Sequence, residues 1–487
     1  MVFLTVQSRV SYHACSLATN YPEVPMKRLA FFLFALCACL VTATQVLAQS
    51  GRVRDANAAA ANGNAVASTE ERANPGDART AVQLYDDAND YTQKKFEEFT
   101  KQHMPYDDNL AAKIKREQLD LATKHATVLA ARKLEGNDVY YLGLLYNLAQ
   151  NHDAALAAMR RFLTENPQVT GEPAQNARAI VVIQAAKQGL LPEAESRLAE
   201  YAKNEPQLAQ DRFALEKWVA VGYIKSKDYE RALPHTQEMF AAAKLAAKKK
   251  ETFERDSMLA DAMLLVSEAN LKLQKKDEAI AVVQEMRHLA LALPSGNLYR
   301  QALLRLYTVA PSIDLLKSFE DAPPNVSELR DVVAKDWIDQ KPVKLADLRG
   351  QVVLLDFWES WCGPCRATFP RLEKWHQSYK DRGLVIIGVT TLEGQKDGKA
   401  LTRAQELDYL RDFKKKFHLP YGFAVADSDD NDLNYGVSAI PTTFLIDRHG
   451  ALRFISVGSG DGEIVALGRM IRKLIEEPGE KSDTATR

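Results

Sequence analysis

The chain has 487 residues, 46% of them hydrophobic and 26% charged, which is enough for two or three domains and excludes both wholesale disorder and a many-pass membrane protein. Lys and Arg number 63 against 64 Asp and Glu, so the net charge of -1 supplies no overall field for a phosphate backbone. Nucleic acid is not an expected partner.

In chain order, Met26-Lys27-Arg28, an apolar run from Leu29 to Val41, and Val46-Leu47-Ala48 form the three parts of a secretory signal peptide, with cleavage expected after Ala48. Residues 1–25 then read as an upstream extension. Export places the chain across the inner membrane, periplasmic or otherwise extracytoplasmic, with membrane contact only if the signal segment stays uncleaved as an anchor. Cys15, Cys37 and Cys39 fall in this region, so the exported chain keeps two cysteines, Cys362 and Cys365, in a disulfide-permissive setting. Two are too few for a structural disulfide framework or a cysteine-based zinc site, which leaves a reactive dithiol or an accident of sequence. The histidines show no paired metal spacing, and no metal is expected.

Residues 49–78 are rich in Ala, Asn, Gly and Ser without apolar periodicity and read as a flexible leader. Residues 79–320 carry Leu, Ala, Tyr and Phe three and four apart with few β-branched runs, the pattern of an all-α domain. Within it, residues 136–169 place Leu142, Gly143, Tyr146, Ala155, Phe162 and Pro167 at a helix-turn-helix spacing in which Gly143 and Ala155 let two helices approach closely. The window resembles the tetratricopeptide repeat. Weaker copies surround Ala194, Ala232 and Ala279, at irregular intervals, so the array is degenerate; the other reading is an unrelated helical bundle. A repeat array would offer a concave face to a protein partner. Asp321-Ala322-Pro323-Pro324 marks the domain boundary.

Residues 321–478 alternate short strands with helices, the pattern of an α/β sandwich, and residues 479–487 read as a disordered tail. The strand Gln351–Trp358 leads at once into Cys362-Gly363-Pro364-Cys365 and an amphipathic helix bearing Phe369, Leu372 and Trp375. Leu384–Val389 is a second strand, a helix spans about Thr402 to Phe417, and Asp447–Gly450 is a hairpin turn between two of three further strands. Ile464–Ile475 is the last helix. Asp427–Asp432 lacks the Gly and Glu of a calcium loop and reads as a turn.

A sulfur at a helix N-terminus meets unpaired N–H groups and the positive end of the macrodipole, which favour a thiolate, and a second sulfur one turn on lies within disulfide reach. Cys362 is therefore the expected nucleophile and Cys365 the residue that resolves its mixed disulfide. Asp356, on the buried strand, would be costly as an unpaired charge; it reads as a partly protonated proton acceptor for Cys365, or else as an ordinary strand-end carboxylate.

The segment Asp356-Phe-Trp-Glu-Ser-Trp-Cys-Gly-Pro-Cys365 resembles the active-site segment of thioredoxins, as do Pro370 in the following helix and Tyr435–Thr442 around Pro441. Asp336–Gly350 and the insert from about Leu392 to His418 are similar to the exported TlpA/ResA-like redoxin branch. The resemblance implies a thioredoxin fold for the C-terminal domain and a cis Ile440–Pro441 bond facing the sulfur pair. It also implies a substrate surface of Trp361, Gly363, Pro364, Ile440 and Pro441, with the Ile440 backbone pairing with an extended substrate strand. No cofactor is implied beyond the redox-active Cys362–Cys365 disulfide; protein disulfides or dithiols are the substrates, with an electron donor the sequence does not identify. The Gly-Pro dipeptide implies a reducing role, with a potential nearer about -270 mV than about -120 mV. Two departures stand out: Thr368 occupies a place where members active in cytochrome maturation often carry an acid, and Val385–Val389 lacks the lysine that pairs with the buried aspartate. Two other functions fit less of the pattern. One is a scaffold whose thioredoxin-like domain only binds; the other is a peroxiredoxin-like peroxidase, which would want Thr where Glu359 stands.

Overall fold

The computed structural model describes residues 77–102, 107–248, 250–317, 329–396 and 398–477. The signal segment, nearly all of the leader, the proline-rich break and the tail lie outside the described residues. Among those described, the first part of the chain forms twelve helices. These are α1 (Ala81–Asn89), α2 (Tyr91–Lys101), α3 (Asp108–Ala130), α4 (Asn137–Leu148), α5 (His152–Glu165), α6 (Gly171–Lys187), α7 (Leu191–Ala202), α8 (Ala209–Lys225), α9 (Tyr229–Ala247), α10 (Thr252–Lys272), α11 (Lys276–Ala292) and α12 (Gly296–Val309).

The alanines that marked the degenerate repeat occupy one structural position. Ala155, Ala194, Ala232 and Ala279 are each the fourth residue of α5, α7, α9 and α11, and each is fully buried. Five residues ahead of each, Gln150, Gly189, Lys227 and Gln274 adopt positive φ of 58°, 76°, 62° and 61°. The next amide donates back across the turn, from Asn151 to Tyr146, Leu190 to Ala185, Asp228 to Tyr223 and Lys275 to Asn270. This left-handed stop closes the first helix and releases the chain antiparallel, so four hairpins share one turn. Gly143 is small for a reason: a Cβ there would sit 2.8 Å from the Met159 methyl on α5.

The C-terminal domain is the expected α/β sandwich with a thioredoxin-like fold. Its strands are β1 (Asp336–Ile338), β2 (Val352–Phe357), β3 (Leu384–Thr391), β4 (Gln395–Lys396), β5 (Lys399–Ala400), β6 (Gly422–Ala426), β7 (Thr442–Ile446) and β8 (Leu452–Val457). Its helices are α13 (Gly363–Tyr379), α14 (Arg403–Lys416), α15 (Asp430–Tyr435) and α16 (Asp461–Glu476). Six strands form one sheet in the order β1-β6-β3-β2-β7-β8, with β2 parallel to β3 and antiparallel to β7, while β4 and β5 form a separate hairpin. Every residue of β2 is buried, as its unbroken apolar run requires of a central strand. The Asp427–Asp432 run is a turn that continues into α15. Lys414, in a run of three lysines, is 9% exposed and pairs with Asp339 at 2.9 Å.

Packing does not follow the sequence boundary. Helices α10 to α12 share one apolar core with the sheet. Tyr299 of α12 meets Phe454 of β8 edge-on at 6.0 Å, and Gly296 sits against Thr442 and Phe444 of β7. The edge strand β8 is thus covered by the helical domain, which removes an open template for strand addition.

Candidate active site

The site begins where the central strand ends. Buried β2 carries the chain to its C-terminal edge, and Cys362, with extended φ -71° and ψ 104°, is the N-cap of α13. Pro364 falls in the first turn, where its missing N–H costs nothing. The Cys362 sulfur accepts the Cys365 N–H at 3.1 Å, so a helix N-terminal donor already points at the atom that would become the thiolate. The two sulfurs are joined in a disulfide with their Cα atoms 5.3 Å apart. Cys362 is 3% exposed and Cys365 not at all, whereas Trp361 is 60% exposed and Gly363 and Pro364 are also exposed. Exposed Trp361, Gly363 and Pro364 thus flank Cys362, the less buried of the two cysteines.

Asp356 lies on β2 between Gly388 of β3 and Thr443 of β7. Directly paired residues share a sheet face, so Asp356, Thr443 and, on β8, Ser456 form a row across three strands. Neither carboxyl oxygen of Asp356, nor the hydroxyl of Thr443 or Ser456, has a hydrogen-bond partner among the described residues. Burial without compensation pushes the Asp356 carboxyl up to about 7. Thr443 and Ser456 line a cavity of about 10 Å³ together with Thr368 of α13 and Pro441, room enough for about one water. Thr368 also donates its hydroxyl to the Cys365 carbonyl at 2.7 Å. The row beneath the sheet, the helix carrying the sulfurs and the proline loop thus converge. The Ile440–Pro441 bond is cis, as the resemblance implied, with Pro441 buried and Ile440 half-buried.

The missing lysine has a steric explanation. The Trp358 ring packs over Gly388, against Phe369, Phe413 and Phe423, and fills the space beside Asp356 on that strand. A Cβ at Gly388 would lie 2.7 Å from the indole nitrogen and 2.9 Å from the Phe423 ring, both rigid neighbours. Gly388→Ala is expected to destabilise the protein by about 1–3 kcal/mol through overpacking. Urea midpoints of the two proteins test this, and an unchanged midpoint would show that the aromatic cluster yields.

Other residues at the site carry no motif that announces them. Glu359 accepts from the Thr390 hydroxyl and the Thr391 N–H, both at 2.9 Å, and burial pushes its carboxyl up to about 8. Trp361 donates its indole N–H to Glu393, and the amides of Glu393 and Gly394 donate to Glu406 of α14 at 2.8 and 3.0 Å. The only signal for Glu359 was an acid between two tryptophans at the end of an apolar strand. No group of side chains suited to a metal occurs among the described residues.

Residues 327–455 match the model of the AhpC/TSA family. Over 130 residues the chain is 32% identical to the thiol-disulfide oxidoreductase ResA of Geobacillus thermodenitrificans, covering 26% of this chain and 67% of that one. It is 34% identical over 153 residues to protein DipZ of Mycobacterium bovis, covering 30% of this chain but only a fifth, 20%, of DipZ. A crystal structure of a putative thiol:disulfide interchange protein DsbE from Chlorobium tepidum matches at 30% identity and a TM-score of 0.25, covering 30% of this chain and 99% of that one. All of these similarities fall short of half the chain.

Proposed function

We propose that the chain, which belongs through its C-terminal domain to the ResA-like redoxin family of thioredoxin-fold proteins, is an extracytoplasmic thiol-disulfide oxidoreductase acting on protein disulfides, chiefly as a reductant. One observation carries the reading: a Cys362–Cys365 disulfide at a helix N-terminus, with the outer sulfur beside an exposed rim and a raised, unpartnered carboxyl under the same helix.

In the reduced protein the Cys362 thiolate, held by the Cys365 N–H and the start of α13, attacks one sulfur of a substrate disulfide. A Cys362–substrate bond forms, and the other substrate sulfur leaves as a thiolate that takes a proton from solvent. Asp356 then accepts the Cys365 proton, and the Cys365 thiolate attacks the Cys362 sulfur. The internal disulfide re-forms, the second substrate sulfur leaves, and two electrons have passed to the substrate. An extracytoplasmic dithiol donor restores the protein. The Ile440 backbone receives the substrate as an extended strand, between Pro441 and the Trp361, Gly363 and Pro364 rim. The helical hairpins, read as tetratricopeptide-like, dock a protein partner.

Cys365→Ser tests the order of the sulfurs. It is expected to accumulate partners as mixed disulfides on Cys362, released by dithiothreitol and seen on non-reducing gels. Equal recovery of the same partners when both cysteines are replaced would overturn the enzyme reading in favour of a scaffold.

A further inference from the structure

The loop that carries Ile440 and Pro441 is held by the helical domain. Between α15 and β7 the chain runs from Gly436 to Pro441, and its first residues rest on the N-terminal turn of α12. The Asn297 amide donates to the Gly436 carbonyl at 2.6 Å, and the Ser438 hydroxyl donates to the Asn297 side-chain oxygen at 3.1 Å. These bonds span 139 and 141 residues of chain.

The seat beneath them is built, not incidental. Ser295, wholly buried, caps α12 by accepting the Leu298 N–H at 3.1 Å and donates its hydroxyl to Asp256 of α10, itself wholly buried and bonded to Arg255 at 2.9 Å. Gly436 ends α15 with φ 54°, and a Cβ there would lie 2.7 Å from the Ser295 oxygen and 3.0 Å from Asp256. Only glycine permits both that backbone conformation and that approach. On the far side of the loop, Gly296 brings the α12 backbone against Thr442, the residue after Pro441. Four residues from the helical domain thereby fix both ends of a short loop in whose middle Ser438 is exposed and Ala439 and Ile440 are half-buried.

We propose that the helical domain is part of the substrate site, with Asn297 as the positioning residue that holds the Gly436–Pro441 loop so that the Ile440 backbone meets an extended polypeptide. The inference rests on the oxidoreductase reading above and gives the helical domain a part in how that site selects polypeptide disulfides. A polypeptide disulfide that lies along Ile440 depends on the loop's position; a small disulfide that needs only the Cys362 sulfur does not.

The test uses pre-reduced full-length protein, its oxidation followed by tryptophan fluorescence in stopped flow, with insulin and with 2-hydroxyethyl disulfide as oxidants. In Asn297→Ala, loss of the side-chain bonds to Ser438 and to Asp256 is expected to raise the half-saturating insulin concentration about 5-fold. The limiting rate, and the rate with the small disulfide, should stay within about 2-fold, which also shows that the variant is folded. Ser438→Ala removes the same bond from the loop side and leaves the Asn297 contact with Asp256 in place, so it should raise the insulin value likewise. Unchanged insulin saturation in Asn297→Ala, or an equal loss with both oxidants, would overturn the inference while leaving the oxidoreductase reading intact. A wild-type protein oxidised by neither compound would overturn that reading and the inference with it.

Discussion

Replacing Cys362 with Ala is expected to cut insulin reduction by at least about 10³-fold, to the rate of the reductant alone. Among the described residues no other group can take its place. Cys365 is wholly buried, behind the first turn of α13, and with Cys362 gone its sulfur still lacks a path to a substrate disulfide. The donor that prepares Cys362 is the Cys365 backbone N–H, which any residue at 365 would supply, so the loss reports the sulfur itself. Helices α1 to α7 pack in cores separate from that of the site, so the variant should keep its helical circular dichroism. Turnover near the parent rate in this variant would remove the dithiol from the mechanism. Undiminished capture of partner proteins alongside lost turnover would instead assign partner docking to the helices and chemistry to the sulfurs.

What the sequence made legible was local. The sulfur pair, its strand and its helix lie within thirty residues, and their order alone specifies a thiol at a helix start. The Asp447–Gly450 turn was readable for the same reason: Gly450 has φ 76° and donates to Asp447 at 2.9 Å. Repeated alanines were visible as spacing, although the feature that unites the hairpins, a left-handed residue five positions earlier, falls on Gln150, Lys227 and Gln274, which carry no turn signature. Long-range pairings stayed hidden. Lys414 in a run of three lysines looks solvated until Asp339 is folded against it, and Asn297 has no pattern around it at all. The proline-rich break marked a boundary without showing what packs across it, because apolar periodicity reports that a face is buried without saying against what; here α12 buries its face on β8.

Asp356→Asn separates two consequences of one buried carboxyl. In the folded protein the group is pushed up to about 7 from an ordinary 3.8, because burial penalises its charged form. Below about pH 3 the carboxyl is protonated in both folded and unfolded chains and contributes no difference. As pH rises toward 7 the unfolded chain ionises first, so the wild-type protein loses stability across that window, by about 4 kcal/mol in total. The amide that replaces the carboxyl does not titrate, and the variant is expected to exceed the wild type in urea midpoint at pH 8 and to share its pH trend only below about pH 3. Catalysis moves the opposite way. Resolution of the mixed disulfide needs the carboxylate as proton acceptor, so its rate in the wild type should rise through about pH 7; the variant should lose that limb and resolve about 10²-fold more slowly. Glu359, pushed up to about 8 and bonded to Thr390 and Thr391, supplies the control: Glu359→Gln should leave the limb near 7 in place. A midpoint difference that does not vary with pH would contradict the raised carboxyl, and a wild-type pH limb surviving in Asp356→Asn would pass the proton to another group.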